Sequence, residues 1–352
     1  MVHIIKKNIQ DAIEYLSDKV IIGFGCGIQG RRSAYYLKTW GLQDNAKAFI
    51  DNEPSKIGQR MEYLNCGYPI IGLNDAISRI DRYEREGKQC VILVASLSYN
   101  EIYKQLEESY SDKELYCMSM DEIAGEQFRD SDYKEVVRES KEIVIPKIIH
   151  YAWLGGEKPD SIKENIEGWH KMCPDYEIKE WNERNYDISK NRYMREAYER
   201  KVWGFVPDYM RLDIVYQMGG IYLDTDIELV KKPDDLLYQE CFGCCDCTLT
   251  LNMGSGFGAV PNHPMIKKIR DYYDDISFVR EDGTIDNTSC NSHQLVLLSE
   301  MGYRNDDLLQ NIGGMNIYPM IFQGANSHTR EYQTNEKTYW IHYGNMSWFN
   351  KK

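Results

Sequence analysis

The chain has 352 residues, 42% of them hydrophobic and 28% charged, the balance of a soluble globular protein with apolar material for two domains. Its 55 acidic residues outnumber 42 lysines and arginines, giving a net charge of -13 that excludes nucleic-acid backbone as a partner, since that needs basic surface. No apolar run approaches the ~20 residues of a membrane-spanning helix, and no leading segment has the order of a secretion signal. A cytoplasmic protein is therefore expected, with peripheral contact to the cytoplasmic face of a membrane left open and no statement about oligomeric state.

The first half alternates strands and helices. KVIIGF (residues 19–24) reads as a buried strand, GCGIQG follows, and a helix runs from about Arg31 to Trp40, where Gly41 stops it. AKAFID is a second strand ending on Asp51. YPIIGL, a polar helix through SRIDRYERE, the strand CVILVAS and a helix from Tyr99 complete a doubly wound parallel pattern. Gly25, Gly27 and Gly30 lie between strand and helix with Asp51 further on, the order of a dinucleotide fingerprint. Such glycines let backbone approach a phosphate at a helix N-terminus, but they are equally needed to pack helix on strand. FIDNEPSKIGQ followed by GYPIIGL resembles the Rossmann-like N-terminal domain of bacterial sugar acyltransferases. Residues 1–142 are expected to form this nucleotide-binding-type domain, its last stretch (DSDYKEVVRESKE) serving as a charged linker, and residues 143–352 a second domain.

The second half opens with the strand IPKIIHYAWLGG. In VPDYMRLDIVYQMGG, Pro207 can start a helix and Gly219-Gly220 end it. Asp208 and Arg211 are three apart and share a helix face, and a surface ion pair of little worth is the plain reading. Ile221-Tyr222-Leu223 then delivers Asp224 and Asp226. Alternate residues of an extended segment point the same way, so both carboxylates can face one ligand, and a hard divalent cation would relieve their repulsion. Further on, Cys241, Cys244, Cys245 and Cys247 lack the second ligand pair that structural zinc requires, which favours a buried strand of small thiols. The ten cysteines as a set read as reduced.

IPKIIHYAWLGG, PDYMRLDIVYQMGGIYLDTDIEL and the closing YWIHYGNMSW resemble the sugar-binding DXD region of glycosyltransferase family 32, whose relatives include the clostridial glucosylating toxins. The resemblance implies a GT-A-type α/β fold, a nucleotide-sugar donor, Mn2+ or Mg2+, and retention of anomeric configuration. It casts Trp153 as a stacking partner of the base, Asp208 and Arg211 as holding the donor sugar and diphosphate, and Asp224 as binding donor hydroxyls near the metal. Asp226 and His342 would be metal ligands, with Ser347 and Trp348 touching the diphosphate. Asn252 and Ser255, in LNMGSGFGAVPNHP, and His293 and Gln294 are candidates for the acceptor or donor pocket. Cys290-Asn291-Ser292 replaces the Thr-Gly-Pro-like segment of many family members.

The reading is a metal-dependent glycosyltransferase, moving a sugar from a UDP-linked donor to a saccharide or lipid-linked saccharide acceptor in bacterial surface or capsular polysaccharide synthesis. One alternative is an NAD(P)-dependent oxidoreductase or epimerase built on GCGIQG, for which no catalytic tyrosine–lysine pair is evident. Another is a nucleotide-sugar sensor that binds without transfer.

Overall fold

A computed structural model describes residues 1–130, 135–326, 331–332 and 334–344. They form two units, Met1–Asp130 with Arg304–Asp307, and Ser131–Tyr303 with Leu308–Lys352.

The first unit runs β1 (Val2–Ile4), α1 (Ile9–Leu16), β2 (Val20–Phe24), α2 (Ile28–Thr39), β3 (Ala46–Ile50), β4 (Arg60–Tyr63), β5 (Cys66–Ile71), α3 (Leu73–Arg85), β6 (Cys90–Val94), α4 (Tyr99–Ser109), β7 (Leu115–Ser119) and α5 (Met120–Asp130). Its seven-stranded sheet has the order β1-β7-β6-β2-β3-β5-β4. Strands β2 and β6 are buried along their whole length, as central strands covered on both faces must be. The pairing is parallel except at one edge, where β4 runs antiparallel to β5. The sequence pattern did not anticipate that hairpin. Its turn, Leu64-Asn65, has φ of 46° and 60°, a left-handed pair that only the asparagine advertises. The stretch Arg304–Asp307 joins this unit through Trp40 Nε1, which donates to the Asn305 carbonyl at 2.8 Å.

Helix α2 begins at Ile28, ahead of the expected Arg31. The reason for Gly30 is close packing: a Cβ there would lie 1.8 Å from the Gly25 carbonyl oxygen. Gly30→Ala is therefore expected to destabilise the first unit by about 1–3 kcal/mol; an unchanged denaturation midpoint would contradict it. Asp51 is engaged by its own loop. Its carboxylate accepts from Cys26 N at 3.1 Å, Glu53 N at 2.9 Å and Lys56 Nζ at 3.2 Å, so the acid of the fingerprint holds the shape of its loop.

The second unit runs β8 (Ile148–Ala152), α6 (Asp160–Met172), β9 (Glu177–Trp181), α7 (Arg192–Glu199), α8 (Pro207–Met218), β10 (Gly220–Tyr222), β11 (Ile227–Leu229), β12 (Cys241–Cys244), β13 (Phe257–Ala259), α9 (Pro264–Tyr272), α10 (Cys290–Ser299), β14 (Gln310–Ile312), β15 (Met315–Tyr318), β16 (Ala325–Asn326), β17 (Glu331–Tyr332) and β18 (Trp340–His342). Seven strands form a mixed sheet, β14-β15-β12-β13-β10-β8-β9, while β11 pairs with β18 and β16 with β17. Strand β10 lies parallel to β8 and antiparallel to β13. Cys241, Cys244, Cys245 and Cys247 are buried, two of them on β12. The stretch that composition marks as a linker belongs to this unit, where Val137 N donates to Tyr318 Oη at 2.9 Å, Glu139 N and Ser140 N to the Tyr238 carbonyl and Val144 N to that of Leu237.

Candidate functional site

The site is built where β10 leaves the sheet. Gly219 and Gly220 have φ of +67° and +98°, conformations that L side chains rarely adopt. A Cβ on Gly220 would also sit 2.8 Å from the Ile148 carbonyl and 3.0 Å from His150 Nε2. The glycine pair thus lets α8 turn directly into β10 against β8. His150 fixes this turn from the neighbouring strand. The Trp181 indole donates to His150 Nδ1 at 3.1 Å, so Nε2 carries the proton and donates to the Gly219 carbonyl at 2.9 Å.

That tautomer is neutral, and burial pushes the His150 pKa down to about 4, against the lift from the Gly219 carbonyl. In the unfolded chain the imidazole titrates near 6.5. Between these values the unfolded chain binds a proton that the folded protein refuses. The contribution is complete above about pH 6.5 and is lost as pH falls toward 4, on the order of 3 kcal/mol in all. His150→Gln is expected to flatten this part of the stability–pH curve in urea titrations; an unchanged slope would refute the assignment.

Beyond β10, Leu223 N still donates to the His150 carbonyl at 3.0 Å, after which the chain turns, with Ile227 N on the Asp224 carbonyl at 3.2 Å. Asp224-Thr225-Asp226 is therefore a turn between strands, not the extended segment that strand alternation suggested. Helix α6 clamps it, Asn165 Nδ2 donating to the Thr225 carbonyl and Trp169 Nε1 to that of Ile227, both at 3.0 Å. Strand β18 closes the other side, pairing Ile227 with His342. One oxygen from each of Asp224 and Asp226 and a nitrogen of His342 lie within 4.8 Å of one another. His342 Nε2 is 3.4 Å from Asp226 Oδ1. Burial alone would lower the His342 pKa, but Asp226, by charge and hydrogen bond, and then Asp224 and Asp246 lift it above its usual value.

Helix α8 supplies the neighbouring pair, which is not the surface ion pair that spacing alone suggested. Asp208 and Arg211 are 4% and 3% exposed, and a charge so deeply buried must be paired. Arg211 Nη2 stands 3.2 Å from Asp208 Oδ1 and 3.6 Å from Asp224 Oδ1, and its Nε donates to the Pro207 carbonyl at 3.0 Å. Nη1 has no hydrogen-bond partner among the described residues. Burial raises the Asp208 pKa to about 7, with Arg211 opposing and Asp224 adding to the rise. On the helix's other face Asp213 accepts from Tyr186 Oη and Gln217 Nε2, each at 2.7 Å, which anchors α8 in place.

The other sequence candidates divide. Trp153 follows β8 and is partly exposed, its Nε1 donating to the Gly156 carbonyl at 2.8 Å. By the register Tyr222↔His150, it stands beside the strand end that leads to Asp224. Asn252 reaches the site: a Cβ on Gly254 would lie 2.6 Å from Arg211 Nη1, 2.8 Å from Asp224 Oδ2 and 3.1 Å from Asn252 Oδ1. Ser255 does not. It is fully buried and its hydroxyl donates to the Asn252 carbonyl at 2.8 Å, so it shapes the turn. Gln294 is likewise structural, its Oε1 accepting from Met253 N at 3.2 Å. His293 is buried among Tyr193, Tyr272 and Tyr273. Ser347 and Trp348 lie outside the described residues.

Three contributors went unmarked. Gly254 lets the loop backbone pack against Arg211 and Asp224, where a Cβ would lie 2.6 Å from Nη1 and 2.8 Å from Oδ2. Asp246 accepts from Thr248 N at 2.8 Å, Asn252 Nδ2 at 3.1 Å and Asn291 Nδ2 at 2.9 Å, tying the loop to α10. Cys290 Sγ stands 3.9 Å from Asn252 Oδ1. Only the departure Cys290-Asn291-Ser292 could have flagged the last; a glycine among several and an aspartate among cysteines carry no such signal.

Residues 159–243 match the family model of the glycosyltransferase sugar-binding region containing a DXD motif. The match contains Asp208, Arg211, Asp224 and Asp226, whereas Trp153, Asn252 and His342 lie outside it. The chain is 31% identical over 117 residues to inositol phosphoceramide mannosyltransferase 3 of Schizosaccharomyces pombe, covering 31% of this chain and 32% of that one. It is 30% identical over 130 residues to mannosyl phosphorylinositol ceramide synthase SUR1 of Saccharomyces cerevisiae, covering 36% and 34%. An uncharacterized glycosyltransferase, L373, of Acanthamoeba polyphaga mimivirus is 30% identical over 138 residues, covering 36% and 54%. The matched segment thus spans about a third of the two yeast relatives' length. Among solved structures, a PaToxG glycosyltransferase aligns with a TM-score of 0.36 at 19% identity, covering 45% of this chain and 69% of that one.

Proposed function

We propose that this chain is a metal-dependent glycosyltransferase that takes a hexosyl unit from a nucleoside-diphosphate sugar. The observation that carries the reading is the convergence of Asp224, Asp226 and His342 beside the buried Asp208–Arg211 pair. Two carboxylates and an imidazole within reach of one point suit a divalent cation with positions left for phosphate oxygens. The nitrogen donor favours Mn2+ over Mg2+. Such an ion, when bound, neutralises the charge that develops on the departing diphosphate.

The chain's own groups do the rest. Arg211 is held charged by two carboxylates and keeps one guanidinium nitrogen for the donor. Asp208, wedged between Arg211 and Tyr193, offers carboxyl oxygens to sugar hydroxyls. Trp153 offers a partly exposed ring for the base. Retention of configuration follows the family resemblance. The names of the yeast relatives make mannose the first sugar to test and an inositol-phosphate glycolipid the first acceptor, ahead of surface or capsular saccharides.

The test is calorimetric titration of UDP and GDP into the intact chain with and without Mn2+, followed by a cleavage screen of UDP-glucose and GDP-mannose. Mn2+-dependent binding of either diphosphate, with turnover of its sugar conjugate, is the expected result. Nucleotide binding indifferent to Mn2+, or none, would sink the proposal.

A further inference from the structure

Buried polar atoms with no hydrogen-bond partner among the described residues include Arg211 Nη1, Tyr273 Oη and His293 Nε2. A buried group left unpaired is costly, so each calls for a partner. Tyr273, fully buried just past α9, is the informative one. Its ring packs edge-on against Tyr193 at 5.1 Å, and the Tyr193 hydroxyl donates to Asp208 Oδ2 at 3.3 Å. Burial drives the Tyr273 pKa far up, Asp208 and Cys290 add to this and Arg211 opposes it. The phenol therefore stays neutral, able both to donate and to accept, in the immediate field of the Asp208–Arg211 pair.

The neighbouring surfaces lead the same way. Of the ten cysteines Cys290 alone is not fully buried, and its thiol approaches Asn252 Oδ1. Gly254 brings the loop backbone close to Arg211 Nη1, where a Cβ would lie 2.6 Å away. A phenol, a thiol, a carboxyl and a guanidinium gathered around Asp208 suit a ligand that carries several hydroxyls.

We propose that Tyr273 and Cys290 line the sugar end of the donor site, and that the Tyr273 hydroxyl is a specificity-determining contact to a hydroxyl of the donor sugar. The inference rests on the donor-site reading above and extends it to residues beyond the DXD segment.

Tyr273→Phe keeps the ring and removes only the unpaired hydroxyl. The probes are the sugar nucleotide that wild type cleaves fastest, UDP-glucose or GDP-mannose, and its parent diphosphate with Mn2+. The variant should bind the diphosphate within about twofold of wild type and keep or raise its apo melting temperature, while kcat/KM for the sugar nucleotide falls roughly tenfold or more. Cys290→Ala should show the same separation with a smaller loss. An unchanged kcat/KM, or an equal loss in diphosphate binding, overturns the contact and leaves the donor site standing. Absence of diphosphate binding in wild type overturns the donor site itself, and this contact with it.

Discussion

Asp226→Asn is expected to reduce Mn2+-dependent cleavage of the sugar nucleotide by on the order of 10^3-fold, with the fold intact. The side chain sits in the turn between β10 and β11, 18% exposed, facing His342 Nε2 at 3.4 Å. Asparagine keeps the size and one oxygen but removes the charge that makes this position a ligand for a hard cation. The backbone of the turn is secured independently, by Tyr343 N on the Asp226 carbonyl at 3.1 Å and by α6 through Asn165 and Trp169. Apo stability should therefore stay within about 0.5 kcal/mol, as for a partly exposed position outside any core. The thermal shift on adding Mn2+ separates the cases. Wild type should melt higher with saturating Mn2+, by linkage of binding to folding, and the variant should lose that increment. A variant that keeps both the shift and the turnover would remove Asp226 from the ligand set.

Much of the site was legible because its residues sit in local signals. Helix start, Gly-Gly stop, apolar strand and acidic pair follow one another within a single stretch, and each has its own physical reason. Pro207 opens α8 and the glycines take positive φ. What spacing could not show was burial. Asp208 and Arg211 look like a solvent-facing pair by their interval, yet α8 is buried from Asp208 through Val215, which changes their contribution from marginal to structural. The same limit hid the turn at Asp224–Asp226, since i, i+2 alternation presumes an extended chain. Both carboxylates nevertheless come within reach of His342, which β18 returns from far along the sequence. In the first unit the parallel order was readable from strand–helix alternation, whereas the β4–β5 edge hairpin hangs on two left-handed residues, one of them a leucine.

Gly254→Ala is expected to lower kcat/KM by roughly 100-fold, the largest effect anticipated from any glycine in the loop. Gly254 is not among the positive-φ residues, so alanine is acceptable to the backbone; the conflict lies entirely in front of the loop. The new methyl would lie 2.6 Å from Arg211 Nη1 and 2.8 Å from Asp224 Oδ2. Long side chains often swing away, but here neither partner is loose. Arg211 is tied at Nε to the Pro207 carbonyl and at Nη2 to Asp208 and Asp224. The loop is tied by Gly254 N to Asn252 Oδ1 at 2.9 Å and by Met253 N to Gln294 Oε1. Strain of about 1–3 kcal/mol is therefore shared between loop and guanidinium. The methyl also covers the one guanidinium nitrogen left without a partner, the nitrogen assigned here to the donor. Stability and function should separate: a modest fall in melting temperature beside a large fall in donor cleavage. If stability falls and cleavage does not, the space before Arg211 Nη1 is packing room rather than part of the donor site. Arg211 would then serve only to neutralise Asp208 and Asp224.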